Sequence, residues 1–260
     1  MHAPLPLCCG LFVLMASLAP AARADLTLNG RSTVLAMGMQ GAGKEKVWLD
    51  RTLIRRDLMD RGKAYSNLFD LKAREVTVLD HSLRTATVFA TGMLKDQPDA
   101  TVDGKAIQLE LKPTGRSHTL QKWPCAEHTL DLRMPAEIGG ERLTFEMEGT
   151  VWLARNTAEQ KETAAALRLM QEPDFYLGVP AFAKASPVQA RGISEAIRRI
   201  APLGLLCSVD VALKYEGTGR AAALSRKMAS RLSLTFDDYS TEPIPKGTFD
   251  VPAGYRVTRQ

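Results

Sequence analysis

The sequence contains no apolar run long enough to cross a bilayer as a permanent helix. Its longest, Leu11 to Leu18, has the length of a signal-peptide core. Pro20 and the small-x-small phrase Ala22-Arg23-Ala24 follow it, so cleavage is expected after Ala24, leaving a mature chain that starts at Asp25. Cys8 and Cys9 precede the apolar run, whereas lipid-anchor cysteines follow one, so a free periplasmic protein is expected rather than a lipoprotein. Basic residues are not gathered into a stripe: Arg55-Arg56, Arg198-Arg199 and Arg226-Lys227 are separate pairs without interleaved aromatics. That spacing argues against nucleic acid, while the net charge of +5 allows a modest attraction to anionic headgroups. No Gly/Pro/Ser-rich linker divides residues 25–260, and one domain is expected there.

Chemistry-bearing motifs are equally sparse. Gly38-Met39-Gln40-Gly41-Ala42-Gly43-Lys44 has the spacing of a phosphate-cradling loop, but Glu45 stands where a magnesium-binding Ser or Thr is required. The following Lys46-Val47-Trp48-Leu49 reads as strand, so these glycines are expected to form a hairpin turn. His81, His118 and His128 are scattered, and Cys125-Ala126-Glu127-His128 lacks a second ligand pair at structural-zinc spacing, so neither metal nor cofactor is expected. No G-x-S-x-G elbow occurs, and adjacent Ser117 and His118 would point to opposite faces of a strand. Asp237-Asp238 is expected as a solvated turn pair. No catalytic residue is expected, and the chain is not read as an enzyme; a hydrolase whose ionisable groups converge from distant parts of the chain is the least favoured alternative. Cys125 and Cys207 survive cleavage; in an exported chain they can form one disulfide or remain two buried thiols, and sequence alone leaves both open.

What the sequence has in quantity is alternation. Thr33–Met37 is a candidate opening strand, and Lys46–Asp50, Thr52–Leu58, Lys63–Asp70, Glu75–Leu79 and Thr85–Ala90 are short alternating runs bounded by turn formers such as Asp60-Arg61-Gly62 and Asp80-His81-Ser82. Ala106–Leu111, His128–Met134, Arg142–Glu148 and Gly149–Ala154 continue the rhythm, and Leu205–Leu213 and Arg231–Phe236 close it. A strand roughly every ten residues with no room for crossover helices predicts a mostly β, antiparallel sheet. Helices are expected near 157–202: one from Ala158 to Gln171, and one in which Ile193, Ala196, Ile197, Ile200 and Ala201 share a face. As a cover over the sheet, they would direct Leu167, Met170, Phe175, Phe182, Ile193, Ile197 and Ile200 inward. Those residues would then line an apolar cavity or simply fill a core.

Several phrases resemble exported proteins with the lipoprotein-carrier fold of LolA and LolB and their periplasmic relatives. Lys46-Val47-Trp48-Leu49-Asp50 with Leu53-Ile54-Arg55-Arg56-Asp57 resembles their opening strands, and Gln121-Lys122-Trp123-Pro124-Cys125 a turn before a central strand. Gly149-Thr150-Val151-Trp152-Leu153-Ala154 resembles their strand before a helix, and Ile244 to Tyr255 their closing phrase. The resemblance implies an unclosed antiparallel half-barrel of ten or eleven strands under a helical lid. It also implies a lipid or other apolar ligand, with an envelope protein as the alternative partner. The stretch from Met93 to Gly115 makes this chain longer than the small carriers.

Overall fold

The computed structural model describes residues 25–36, 39–60, 63–90, 106–120, 122–155, 157, 159–161, 163, 192, 196–228 and 230–260. Twelve strands form one sheet. They are β1 (Asp25–Ala36), β2 (Met39–Asp50), β3 (Leu53–Asp60), β4 (Lys63–Asp70), β5 (Glu75–Asp80), β6 (Thr85–Ala90), β7 (Gln108–Leu120), β8 (Trp123–Ile138), β9 (Glu141–Ala154), β10 (Leu205–Glu216), β11 (Ser230–Ser240) and β12 (Arg256–Arg259). Their order is β12-β6-β5-β4-β3-β2-β1-β11-β10-β9-β8-β7, so the sheet is open with β12 and β7 as its edges. The mostly β class and the unclosed sheet follow the expectation, but the strand count is twelve rather than ten or eleven. The unforeseen member is β12, four exposed residues that pair with β6 in parallel. Residues 241–255 carry the chain from β11 to this edge of the sheet.

Local chemistry explains why the hairpins close. Asp70 Oδ1 accepts the Lys72 and Ala73 amides, and Asp80 Oδ1 accepts those of Ser82 and Leu83. Each is a side-chain-closed turn of the kind Asp favours. Two runs that read as separate strands are continuous. β9 passes through Gly149 because the Asp210 carbonyl of β10 occupies the space a Cβ would need. β7 passes through Pro113 because it is an edge strand and bulges between Pro113 and Ser117. The expected glycine turn also moves: Gly41 and Gly43 lie within β2, opposite Val34 and Ser32, and the Ala36–Met39 pairing leaves only residues 37 and 38 between strands. Asp237 and Asp238 lie inside β11 rather than in a turn.

Direct cross-strand partners project to the same side of a sheet, so register assigns the faces. Leu26, Leu49, Ile54, Phe69 and Val76 follow one another across β1 to β5 on one side. Val209–Val151 and Tyr215–Phe145–Met134 continue that side across β8 to β10. Leu26, Leu49, Ile54, Phe69 and Val76 belong to one apolar cluster with Phe236, and Met134, Phe145 and Tyr215 to a second with Leu132. Helix α1 (Arg220–Lys227) adds buried Ala222 to the second.

Cys125 and Cys207 form a disulfide, with Cα atoms 6.6 Å apart. Cys207 is the extra residue of a bulge in β10, between Leu206 and Ser208, and both cysteines are fully buried. Past Ser208 and Thr235, β10 and β11 no longer pair, and the buried Tyr239 hydroxyl donates to the Leu206 carbonyl across the divide. Burial pushes that hydroxyl's pKa upward.

Candidate functional sites on two faces of the sheet

The apolar face carries a cover on its β8–β10 side. Residues 196–200 are helical and lead into the 3-10 turn Ala201–Leu203. Ala196 is buried in the Met134–Phe145 cluster, and Gly192 lies so close to the Met134 thioether that a side chain there would collide with it. Of the expected inward residues, Ile197 and Ile200 are half-buried in this segment. Leu167, Met170, Phe175, Phe182 and Ile193 lie outside the described residues, as does most of the expected helix from Ala158 to Gln171.

The same face is not uniformly apolar. Asn67 pairs with Arg56 on β3 and Val78 on β5, so these three share a side with Phe69. Arg56 donates from Nη2 to Glu45 Oε2 at 2.8 Å, and Glu45 is itself buried. Asn67 is 2% exposed, yet its Oδ1 has no hydrogen-bond partner among the described residues. Leaving such a group unsatisfied costs on the order of 1–3 kcal/mol. A group of this kind on an apolar face is where a polar part of a guest would be accepted.

The opposite face differs between its two sides. Across β3 to β6 the segment after β11 lies over it. Ile244 donates its amide to Asp25 Oδ2, Arg55 Nη1 donates to the Thr248 carbonyl, and Val251 and Tyr255 pack on Leu68, Leu79 and Ala86. A chain of short contacts ties Tyr255 in place. Arg55 and Asp57 are paired, Ser66 Oγ donates to Asp57 Oδ1 at 2.6 Å, His81 Nε2 lies 2.6 Å from Ser66 Oγ, and His81 Nδ1 lies 2.6 Å from the Tyr255 hydroxyl. With the Ser66 proton committed to Asp57, a neutral His81 ring donates from Nε2 and accepts the Tyr255 proton at Nδ1.

Ser66, His81 and Asp57 thus come together from three places in the chain, a convergence no sequence spacing signals. The arrangement differs from an acyl-transfer triad in two ways. The carboxylate holds the serine rather than the histidine, and Ser66 is 0% exposed. It fastens the C-terminal segment to the sheet.

Above that fastening lies an open hollow of about 590 Å³, between β1, β2, β3 and the β5–β6 turn. Arg31, Lys44, Lys46, Asp57, Met59 and Ala64 are among its lining residues. Most of its charges are matched inside the protein: Arg31 holds both Asp237 carboxylate oxygens, at 2.6 and 2.7 Å, and Asp57 holds Arg55. The Asp237 carboxylate raises the Arg31 pKa further.

Other sequence candidates take structural roles. Cys125 is bridged, so Cys125 and His128 make no ligand pair, and the His128 ring contacts the Ala126 carbonyl and Arg155. His118 stacks edge-on against Trp152, with ring centroids 4.1 Å apart. Buried Glu127 is met by the β7 bulge: the Thr114 hydroxyl and Arg116 hold its carboxyl below the usual range against the upward push of burial. No described helix is long and apolar enough to cross a membrane.

No family model matches this chain, and no curated protein matches it. Among solved structures it is similar to a DUF1329 family protein from Desulfovibrio piger, at 5% identity and a TM-score of 0.31, over 88% of this chain and 91% of that one. It is also similar to a domain from Vibrio parahaemolyticus assigned to outer membrane lipoprotein sorting, at 6% identity and a TM-score of 0.29, over 87% and 89%. Likenesses at this level define neither family nor function.

Proposed function

We propose that this chain is an exported, non-enzymatic envelope protein that holds an amphipathic ligand, a lipid or acyl-chain molecule, on the apolar face of its open sheet beneath a helical cover. The observation that carries the reading is the composition of that face. Apolar side chains run across it from β1 to β10, and among them Asn67 presents a buried carboxamide oxygen with no partner among the described residues. A purely structural core gains nothing from such a group, whereas an amphipathic guest supplies the missing donor while its acyl part is buried at roughly 0.8 kcal/mol per CH₂. Export is supported by the Cys125–Cys207 disulfide, since such bonds persist in oxidising compartments. The lipoprotein-carrier resemblance of the sequence points the same way.

Native mass spectrometry of protein purified from its own periplasm tests this reading. The wild-type chain is expected to carry a lipid-sized adduct, and Ile197→Asp, which puts a charge into the cover, is expected to abolish it. A wild-type protein free of any adduct would overturn the proposal.

A further inference from the structure

The hollow on the tail-covered face borders the fastening of Tyr255, sharing Asp57 and His81 with it, and its charges do not cancel. Arg31 is matched by Asp237, Asp57 by Arg55, and the neighbouring Glu45 by Arg56. Lys44 and Lys46 remain. Both project from β2 to the same side, opposite Arg31 and Asn29 on β1. Lys44 has no ion-pair partner among the described residues, and the Lys46 ammonium lies 4.8 Å above the Trp48 ring instead of bonding Asp57, its cross-strand neighbour. Next to these ammonium groups the wall is apolar: Met59 and Ala64 are cross-strand partners on β3 and β4, and Met59 is 50% exposed. A concave space in the size range of small-molecule sites, with two uncompensated cations at one side and an exposed thioether at the other, has complementary surfaces for a two-part guest.

We propose that this hollow binds a small amphipathic anion, with its carboxylate or phosphate oxygens held by Lys44 and Lys46 and its apolar part lying on Met59 and Ala64. The pairing of Arg31 with Asp237 fixes the rim, so the two lysines are the groups free to meet the anion. This site is distinct from the proposed lipid-holding face, because the side chains that hold the guest, Lys44, Lys46, Met59 and Ala64, project to the other side of the sheet, although Glu45 and Leu58 of its lining belong to the apolar side.

Calorimetric titration of the full chain with octyl phosphate provides the test, with inorganic phosphate and vesicles of anionic phospholipid as parallel arms. Octyl phosphate is expected to bind at least tenfold more tightly than inorganic phosphate, because the apolar wall adds to the charge contact. The double variant Lys44→Gln/Lys46→Gln is expected to weaken it about 150-fold or more, as loss of two charged hydrogen bonds implies. Raising the salt concentration should also weaken it. Met59→Asp, an exposed change, should repel the same probe, so the result does not depend on one variant folding. Ile197→Asp should leave it bound, which separates failure here from failure of the apolar-face reading. Vesicle binding that disappears in the lysine variant identifies a lipid headgroup as the source, and octyl phosphate binding without vesicle binding identifies a soluble anion; either supports the site. No binding of octyl phosphate, equal binding of inorganic phosphate, or binding indifferent to both lysines would overturn it, even if vesicles still bound.

Discussion

One face of the sheet shows two solutions to the same problem. On β8 to β11 no described segment lies over it and it carries pairs of opposite charge: Arg133 reaches Asp131, Glu146 and Glu148, Lys214 holds Glu148 at 2.6 Å, and Arg231 holds Asp210. On β3 to β6 the same face carries Leu68, Leu79 and Ala86, all buried, with Val251 and Tyr255 laid over them. The strands are alike in pairing; what differs, among the described residues, is whether another segment lies on top. Which positions of an alternating strand are apolar therefore reports on its covering as much as on the strand itself. The charged side gains its cohesion elsewhere, from the disulfide between β8 and β10, while the covered side relies on its C-terminal strap.

Removing the strap should have the largest effect. A chain ending at Ser240 loses β12 and exposes Leu68, Leu79 and Ala86, and uncovering two leucines alone costs about 3–6 kcal/mol. That is comparable with the whole stability of an ordinary domain. The truncated protein is expected to show little cooperative urea unfolding by circular dichroism. A midpoint close to that of the full chain would mean that the strap is an ornament on a sheet already stable without it.

Reducing the disulfide attacks the other side and should do less. The bridge closes a loop between residues 82 apart in sequence, and loss of such a bridge typically costs about 2–5 kcal/mol. Cys125→Ser/Cys207→Ser, or wild type with reductant, is expected to unfold at lower urea yet remain cooperative. Unfolding should begin around Trp123, the tryptophan packed in the apolar cluster that contains both cysteines. If tryptophan fluorescence and circular dichroism midpoints did not move, the bridge would contribute nothing to holding that side.

The contrast also shows which parts of the molecule the sequence made legible. Alternation from Lys46 to Ala90 predicted the hairpins closely, helped by Asp70 and Asp80, whose carboxylates close the turns that follow them. Gly149 and Pro113 misled, since a residue that usually ends a strand is tolerated where a neighbouring backbone approaches or where the strand has no outer partner. β12 was invisible because Arg256–Arg259 has no buried position and takes its conformation from β6. The cover was legible in part: Ala196 and Ile197 follow the expected helical face, and Ala222 in α1 was not anticipated. The Asp57–Ser66–His81–Tyr255 chain and the lysine hollow depend on side chains brought together by register, which spacing along one strand does not encode.

The smallest expected effect lies on the charged side and distinguishes surface pairing from burial. Glu148 is held by the Lys214 ammonium first and by Arg133 second, and its carboxyl is kept below its ordinary value of 4.5 against the push of desolvation. A carboxyl with a lowered pKa in the folded state stabilises the protein above its unfolded value, and that contribution is lost as pH falls through the lower folded value. The contribution is therefore fully present at neutral pH and fades on acidification below about 4.5. Because the pair is largely exposed, Glu148→Gln should cost less than about 1 kcal/mol at pH 7, and salt should shrink the difference further. Urea midpoints of wild type and variant, measured at pH 7 and again near pH 3, should differ slightly at the first and less at the second. A gap undiminished at pH 3, or unchanged by high salt, would mean that Glu148 acts through packing, and that this side is held by contacts of the same kind as the strapped one.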